Sequence, residues 1–149
     1  GMEEEFARHG LDKPVTYAYP SGISNPDVVS FVRECGYKWA RGNEEKGEHE
    51  GIRGMTYYDP LVDSPLAICN HGDPDFYTEE LLRRRMEDTP KGCVFGLTYH
   101  DVGPEGWPGP IPFRRQMEIL KEAGRMVISI RQLEEYIDPE KAYQYTRQG

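Results

Sequence analysis

The groups able to do chemistry in this sequence gather in three short stretches. The first is Thr98-Tyr99-His100-Asp101, where the apolar run 93–99 ends and the loop "DVGPEGWPGP" begins. A histidine titrates near neutrality, so His100 has the chemistry of a general acid or base. The plainer alternative is a histidine hydrogen-bonded at the point where a core strand surfaces. Asp101 points to the other side if the strand continues, and otherwise caps or steadies the loop. The second stretch is Tyr19-Pro20-Ser21-Gly22, which closes "PVTYAYPSG". The third is Asn70-His71-Gly72-Asp73. His71 and Asp73 read either as metal ligands or as part of an Asx-type turn, which Asn, Gly, Asp and Pro all favour. His49 falls in the charged loop "GEHEG" and His9 at a helix end. Neither His-x-x-x-His nor His-Glu-x-x-His is present, nor a phosphate-binding glycine loop, nor Gly-x-Ser-x-Gly. The residues alone therefore assign no metal.

The elements around these stretches can be read from period and punctuation. Residues 14–19 alternate and are rich in β-formers, which predicts a strand running into a loop at Pro20. "NPDVVSFVRECG" predicts a helix with Asn25 as cap, Pro26 at the first position and Gly36 at the stop. Val28, Val29, Phe31 and Val32 are its expected inner face. "YKWARG" and residues 66–70, "LAICN", predict short strands. "TEELLRRRMED" predicts a helix capped by Thr78, with Arg83, Arg84 and Arg85 on a solvated face. "CVFGLTY" is a continuous apolar run of the kind buried on both faces of a sheet. "FRRQMEILKEAG" is amphipathic, with Phe113, Met117 and Leu120 on one side and Gly124 at its end. "RMVISI" predicts a strand, and Ser129 with Gln132 has capping-box spacing for a last helix. Strand–helix alternation predicts an α/β fold with mostly parallel strands. In such folds working groups sit where strands end and loops begin.

The totals narrow the function. The chain has 149 residues, a net charge of -8 and a pI near 5.0, enough for one domain, 1–149, with a real core. An acidic chain is a poor partner for a nucleic-acid backbone. No apolar run approaches the roughly 20 residues of a membrane span, and the acidic start "GMEEEFARHG" has no signal-peptide character. A cytoplasmic protein is expected. Cys35, Cys69 and Cys93 are odd in number and widely spaced, which predicts free thiols packed as small hydrophobes.

Four segments, taken in order, resemble the C-terminal part of the NodB-homology polysaccharide deacetylases. "KPVTYAYPSG" is similar to that family's "AYP" strand and loop, and "VVSFVRECGYKWARG" to the helix and strand after it. "YDPLVDSPLAICNHGD" resembles a middle segment. "GCVFGLTYHDVGPEGWPGPIPFRRQMEILKEAGRMVISIRQLEEYI" is similar to the last strand–loop–helix–strand–helix. The resemblance implies a distorted (β/α) barrel that hydrolyses C–N amide bonds in N-acetylated glycans or peptidoglycan. In that family a divalent metal, often zinc, polarises the carbonyl and activates a water. His100 matches the histidine that protonates the leaving amine. Ser21, just after Pro20, matches the backbone amide that helps hold the oxyanion. Tyr19, Pro20, Ser21, Asp73, Asp101 and Trp107 are the substrate-contacting candidates.

The departures from the family pattern are as specific. The paired Asp residues and the His-x-x-x-His precede the "AYP" segment in the family, but here neither motif occurs in residues 1–13 or later. Ala18 stands where many members carry an arginine, and Ser21 where they carry an aromatic residue. The expectation is an incomplete (β/α) barrel of the deacetylase type, truncated at its N-terminal side, with no metal or other cofactor held by this chain. It is expected to be catalytically incomplete, with a non-catalytic carbohydrate-binding or assembly module as the alternative. An open barrel exposes a strand edge and an apolar face. A homo-oligomer or a partner chain covering that edge is therefore expected.

Overall fold

A computed structural model describes residues 1–22, 25–43, 57–70, 77–100, 102 and 110–146. Helix α1 spans Met2–Arg8 and β1 spans Thr16–Ala18, followed by a 3-10 turn at Pro20–Gly22. Helix α2 is Pro26–Glu34, β2 is Trp39–Asn43 and β3 is Ile68–Asn70. Helices α3, Glu79–Asp88, and α4, Phe113–Glu122, come next. A 3-10 helix at Ile130–Glu135 and helix α5 at Pro139–Thr146 close the chain.

Local chemistry sets most of the helix ends. The Asn25 side chain accepts from the Val28 amide at 2.9 Å, and Pro26 takes the first position of α2. Thr78 caps α3 through the Leu81 amide at 3.1 Å. Gly36 and Gly124 turn the chain out of α2 and α4 with φ of +83° and +66°, a conformation that costs a side-chain-bearing residue. Ser129 and Gln132 form the capping box their spacing predicts, but it opens a 3-10 helix. His9 caps the C-terminus of α1.

The strands form one parallel, open sheet in the order β1-β2-β3. This agrees with the α/β, parallel reading. Trp39 pairs with Thr16, and Arg41 pairs with Ala18 on one side and Ile68 on the other. Alternation along β2 therefore sends Trp39 and Arg41 to one face and Ala40 to the other. The Ala40 face packs with Tyr19, Val32 and Leu66, flanked by Val29 and Tyr37. On the opposite side Trp39 joins Tyr58, Ile68, Cys69 and Leu133. A third cluster, Tyr77, Leu82, Met86, Ile119 and Leu120, seals α3 against α4. Among the described residues neither β1 nor β3 has a strand on its outer edge, and no helix is long and apolar enough to cross a membrane.

Two apolar runs do not enter the sheet. Residues 93–99 make one antiparallel bridge, Tyr58 with Val94, whose amides and carbonyls exchange bonds of 2.8 Å. Each residue of this run is only half-buried. Residues 125–129 leave α4 as irregular chain, and Ile130 opens the 3-10 helix. An apolar run reports burial, while a strand also needs a partner edge, so the run alone does not fix a ladder. Helix α2 shows a similar excess. Val29 and Val32 meet the sheet, while Val28 and Phe31, offset by one position, stand 37% and 64% exposed. All three cysteines are free thiols, with Cys69 buried and Cys35 and Cys93 half-buried.

An ion network crosses from α3 to α4. The Arg115 guanidinium grips both Glu79 oxygens at 2.6 and 2.9 Å and reaches Glu122 at 2.9 Å, which also accepts from Arg83 at 2.8 Å. The hydrogen bond from Arg115 holds the Glu79 carboxyl below its ordinary range, and Arg83 with Arg115 does the same for Glu122. Carboxylates depressed in the folded state stabilise it fully above their unfolded pKa of about 4.3. That contribution is lost as pH falls through the lower folded values. Thermal melts at neutral pH and at about pH 3 should show a smaller acid loss for Arg115→Ala than for the wild type. High salt should shrink the difference at neutral pH, because these groups are exposed.

Candidate functional site

The turn at the end of β1 is built from both sides of the chain. The Tyr19 amide donates to the Arg41 carbonyl at 3.0 Å, extending the β1–β2 ladder by one step. The Tyr19 ring is buried, and its hydroxyl donates to the Leu66 carbonyl at 2.8 Å. Tyr17 packs edge-on against Tyr19 and tilted against Tyr37, with centroids 5.3 and 5.2 Å apart. Burial pushes the Tyr19 hydroxyl up to about 12, so it stays a donor throughout the physiological range. This fixed tyrosine delivers Pro20 and Ser21 to the surface. The Gly22 amide closes the turn onto the Tyr19 carbonyl at 2.8 Å.

Ser21 sits in the left-handed region, with φ +54° and ψ +15°. It is the one residue other than glycine with positive φ among the described residues. That conformation costs a side-chain-bearing residue roughly 1–2 kcal/mol. Such residues cluster where a backbone group must be aimed. The turn lies at the carboxyl end of a parallel strand, the end at which α/β folds place ligands. Of the predicted contacts, Tyr19 holds the turn from below, while Pro20 and Ser21 are presented to solvent.

His100 is exposed at the end of the 93–99 segment. Its neighbour Tyr99 is tied to α4: the Tyr99 hydroxyl donates to Gln116 Oε1 at 2.9 Å. Its ring stands edge-on to Phe113, with centroids 4.9 Å apart and planes at 89°. Gln116 is itself buried and also donates to the Ile111 carbonyl at 3.4 Å. These contacts anchor the chain immediately before His100. Asp73, Asp101 and Trp107, and His71 with them, lie outside the described residues.

One large cavity, about 700 Å³, opens between the sheet and the two irregular apolar runs. Ile68 and Arg41 line it from the sheet, Val94 and Tyr99 from the first run, and Val127 and Ile130 from the second. Neither His100 nor Pro20–Gly22 is among its lining residues. Arg41 is a functional candidate that sequence reading missed. The signal for it was its place two residues after Trp39, which puts both on one face of β2.

Among the described residues no three His, Cys, Asp or Glu side chains converge. His9 is spent at an exposed helix end near Glu5, 3.9 Å away. The family's Asp pair and His-x-x-x-His do not occur in the 149 residues. Searches of family models, curated proteins and solved structures returned no match to this chain.

Proposed function

We propose that the chain is a polysaccharide deacetylase-like domain of the NodB-homology type. In this reading it engages N-acetylated glycan or peptidoglycan and is catalytically incomplete by itself. The observation that carries the reading is the turn after β1. A Tyr-Pro-Ser sequence stands at the carboxyl end of a parallel strand, its tyrosine locked to Leu66 and its serine held left-handed at the surface. The sequential parallel order β1-β2-β3 with α2 between its first two strands is compatible with an arc of a (β/α) barrel.

In this reading the Ser21 amide donates to an acetamido carbonyl oxygen, and His100 hydrogen-bonds the same glycan. Because the family's Asp pair and His-x-x-x-His do not occur in the sequence, no hydrolytic step is assigned to this chain alone. A second reading, a non-catalytic carbohydrate-binding or assembly module, draws on the same missing motifs. It also draws on the outer edges of β1 and β3, which pair with no strand among the described residues and which a second copy or a partner chain would cover.

Titration calorimetry with tetra-N-acetylchitotetraose tests the glycan engagement on which the proposal rests. Weak 1:1 binding is expected, reduced by His100→Ala, with no acetate released by the chain with added zinc. The absence of binding at millimolar glycan contradicts the proposal. Acetate release that survives His100→Ala contradicts both the incompleteness and the role of His100.

A further inference from the structure

The cavity has a composition at odds with the chain around it. The sequence carries 26 Asp and Glu against 18 Lys and Arg. Yet the described residues lining the cavity include two arginines, Arg41 and Arg125, and no carboxylate. Four arginines elsewhere are ion-paired: Arg83 and Arg115 with Glu122 and Glu79, Arg84 with Asp88, Arg8 with Glu5. Arg125 donates to the Met86 carbonyl. Arg41 is half-buried and, among the described residues, has no carboxylate within 4.0 Å. Arg41 thus brings a positive charge to a largely apolar wall. A carboxylate entering the cavity would meet that charge in a charge-assisted, bidentate pair.

The rest of the wall is apolar, and the volume falls within the roughly 300–1,000 Å³ of small-ligand pockets. Its lining includes four large side chains left exposed: Phe113, Met126, Val127 and Tyr136. Apolar groups of this size converging on one opening mark a surface that gains from being covered.

We propose that this cavity binds an amphipathic carboxylate, with the apolar chain along residues 93–99 and 125–130 and the head group on Arg41. The site is separate from the turn at Ser21 and does not depend on the deacetylase reading. Octanoate is the probe, with 1-octanol as its uncharged counterpart, both followed by titration calorimetry on the full chain. Octanoate is expected to bind 1:1 and at least about tenfold more tightly than octanol, the margin of a charge-assisted bond. Arg41→Met should remove that margin, leaving octanol unchanged, and Arg41→Lys should restore part of it. Val127→Glu, a change at an exposed position of the wall that holds the apolar chain, should weaken both probes, octanoate more than octanol. Equal binding of the two probes by the wild type overturns the proposal, as does unchanged octanoate binding by Arg41→Met. Failure of octanoate to bind overturns it as well, in favour of a second copy if sedimentation then shows a dimer that Val127→Glu dissociates.

Discussion

Trp39→Ala is expected to cost about 3–5 kcal/mol, the range for deleting a large buried aromatic. Trp39 is fully buried at the centre of the parallel sheet and belongs to the cluster with Tyr58, Ile68, Cys69 and Leu133. Domains of this size are stable by only about 5–15 kcal/mol, so the variant should be partly or wholly unfolded at 37 °C. Urea titration followed by far-ultraviolet circular dichroism measures this without relying on tryptophan fluorescence. Tyr58→Phe is the matched control. The Tyr58 ring is just as buried, but its hydroxyl has no hydrogen-bond partner among the described residues. Removing a buried hydroxyl without a partner should be neutral or stabilising by up to about 1 kcal/mol. A loss comparable to that of Trp39→Ala would mean that this hydroxyl is satisfied in solution.

Tyr19→Phe is expected to cost about 1–3 kcal/mol, because it strands a buried carbonyl at Leu66 while leaving the ring in place. The same residue gives an alkaline signature. Burial raises the Tyr19 hydroxyl from 10.0 to about 12 and pushes Tyr58 upward as well. A group with a raised folded pKa contributes its stability fully below the unfolded value. That contribution is lost as pH rises through the folded one. Wild-type stability should therefore fall between about pH 10 and pH 12, and the fall should be shallower in Tyr19→Phe. An identical alkaline profile for the two proteins would show that Tyr19 ionises freely and does not lock the turn.

The parts of this fold legible in the sequence are those that local chemistry decides. Asn25 with Pro26, Thr78, Gly36 and Gly124 each act within one helical turn, so residue type at a fixed offset is enough. The parts that were not legible depend on distant partners. Residues 93–99 and 125–130 have the composition of buried strands, yet only Val94 finds a bridge, with Tyr58. Phe31 carries the right period for an inner face and lies outside it, because the sheet is narrow. The candidate site divides in the same way. The sequence marks Tyr19-Pro20-Ser21 as a turn, but that the tyrosine hydroxyl serves Leu66, 47 residues away, and that Ser21 is left-handed are seen only in the fold. Arg41 reads as an ordinary strand residue until the cavity beside it is seen.

The glycan-facing role of the turn and His100 is most directly tested by an amide-resolved NMR titration of the chain with tetra-N-acetylchitotetraose. The account predicts saturable shifts at Ser21, Gly22 and His100, with Arg41 and Val127 unmoved. Shifts confined to the cavity residues, or none at saturating glycan, would contradict it.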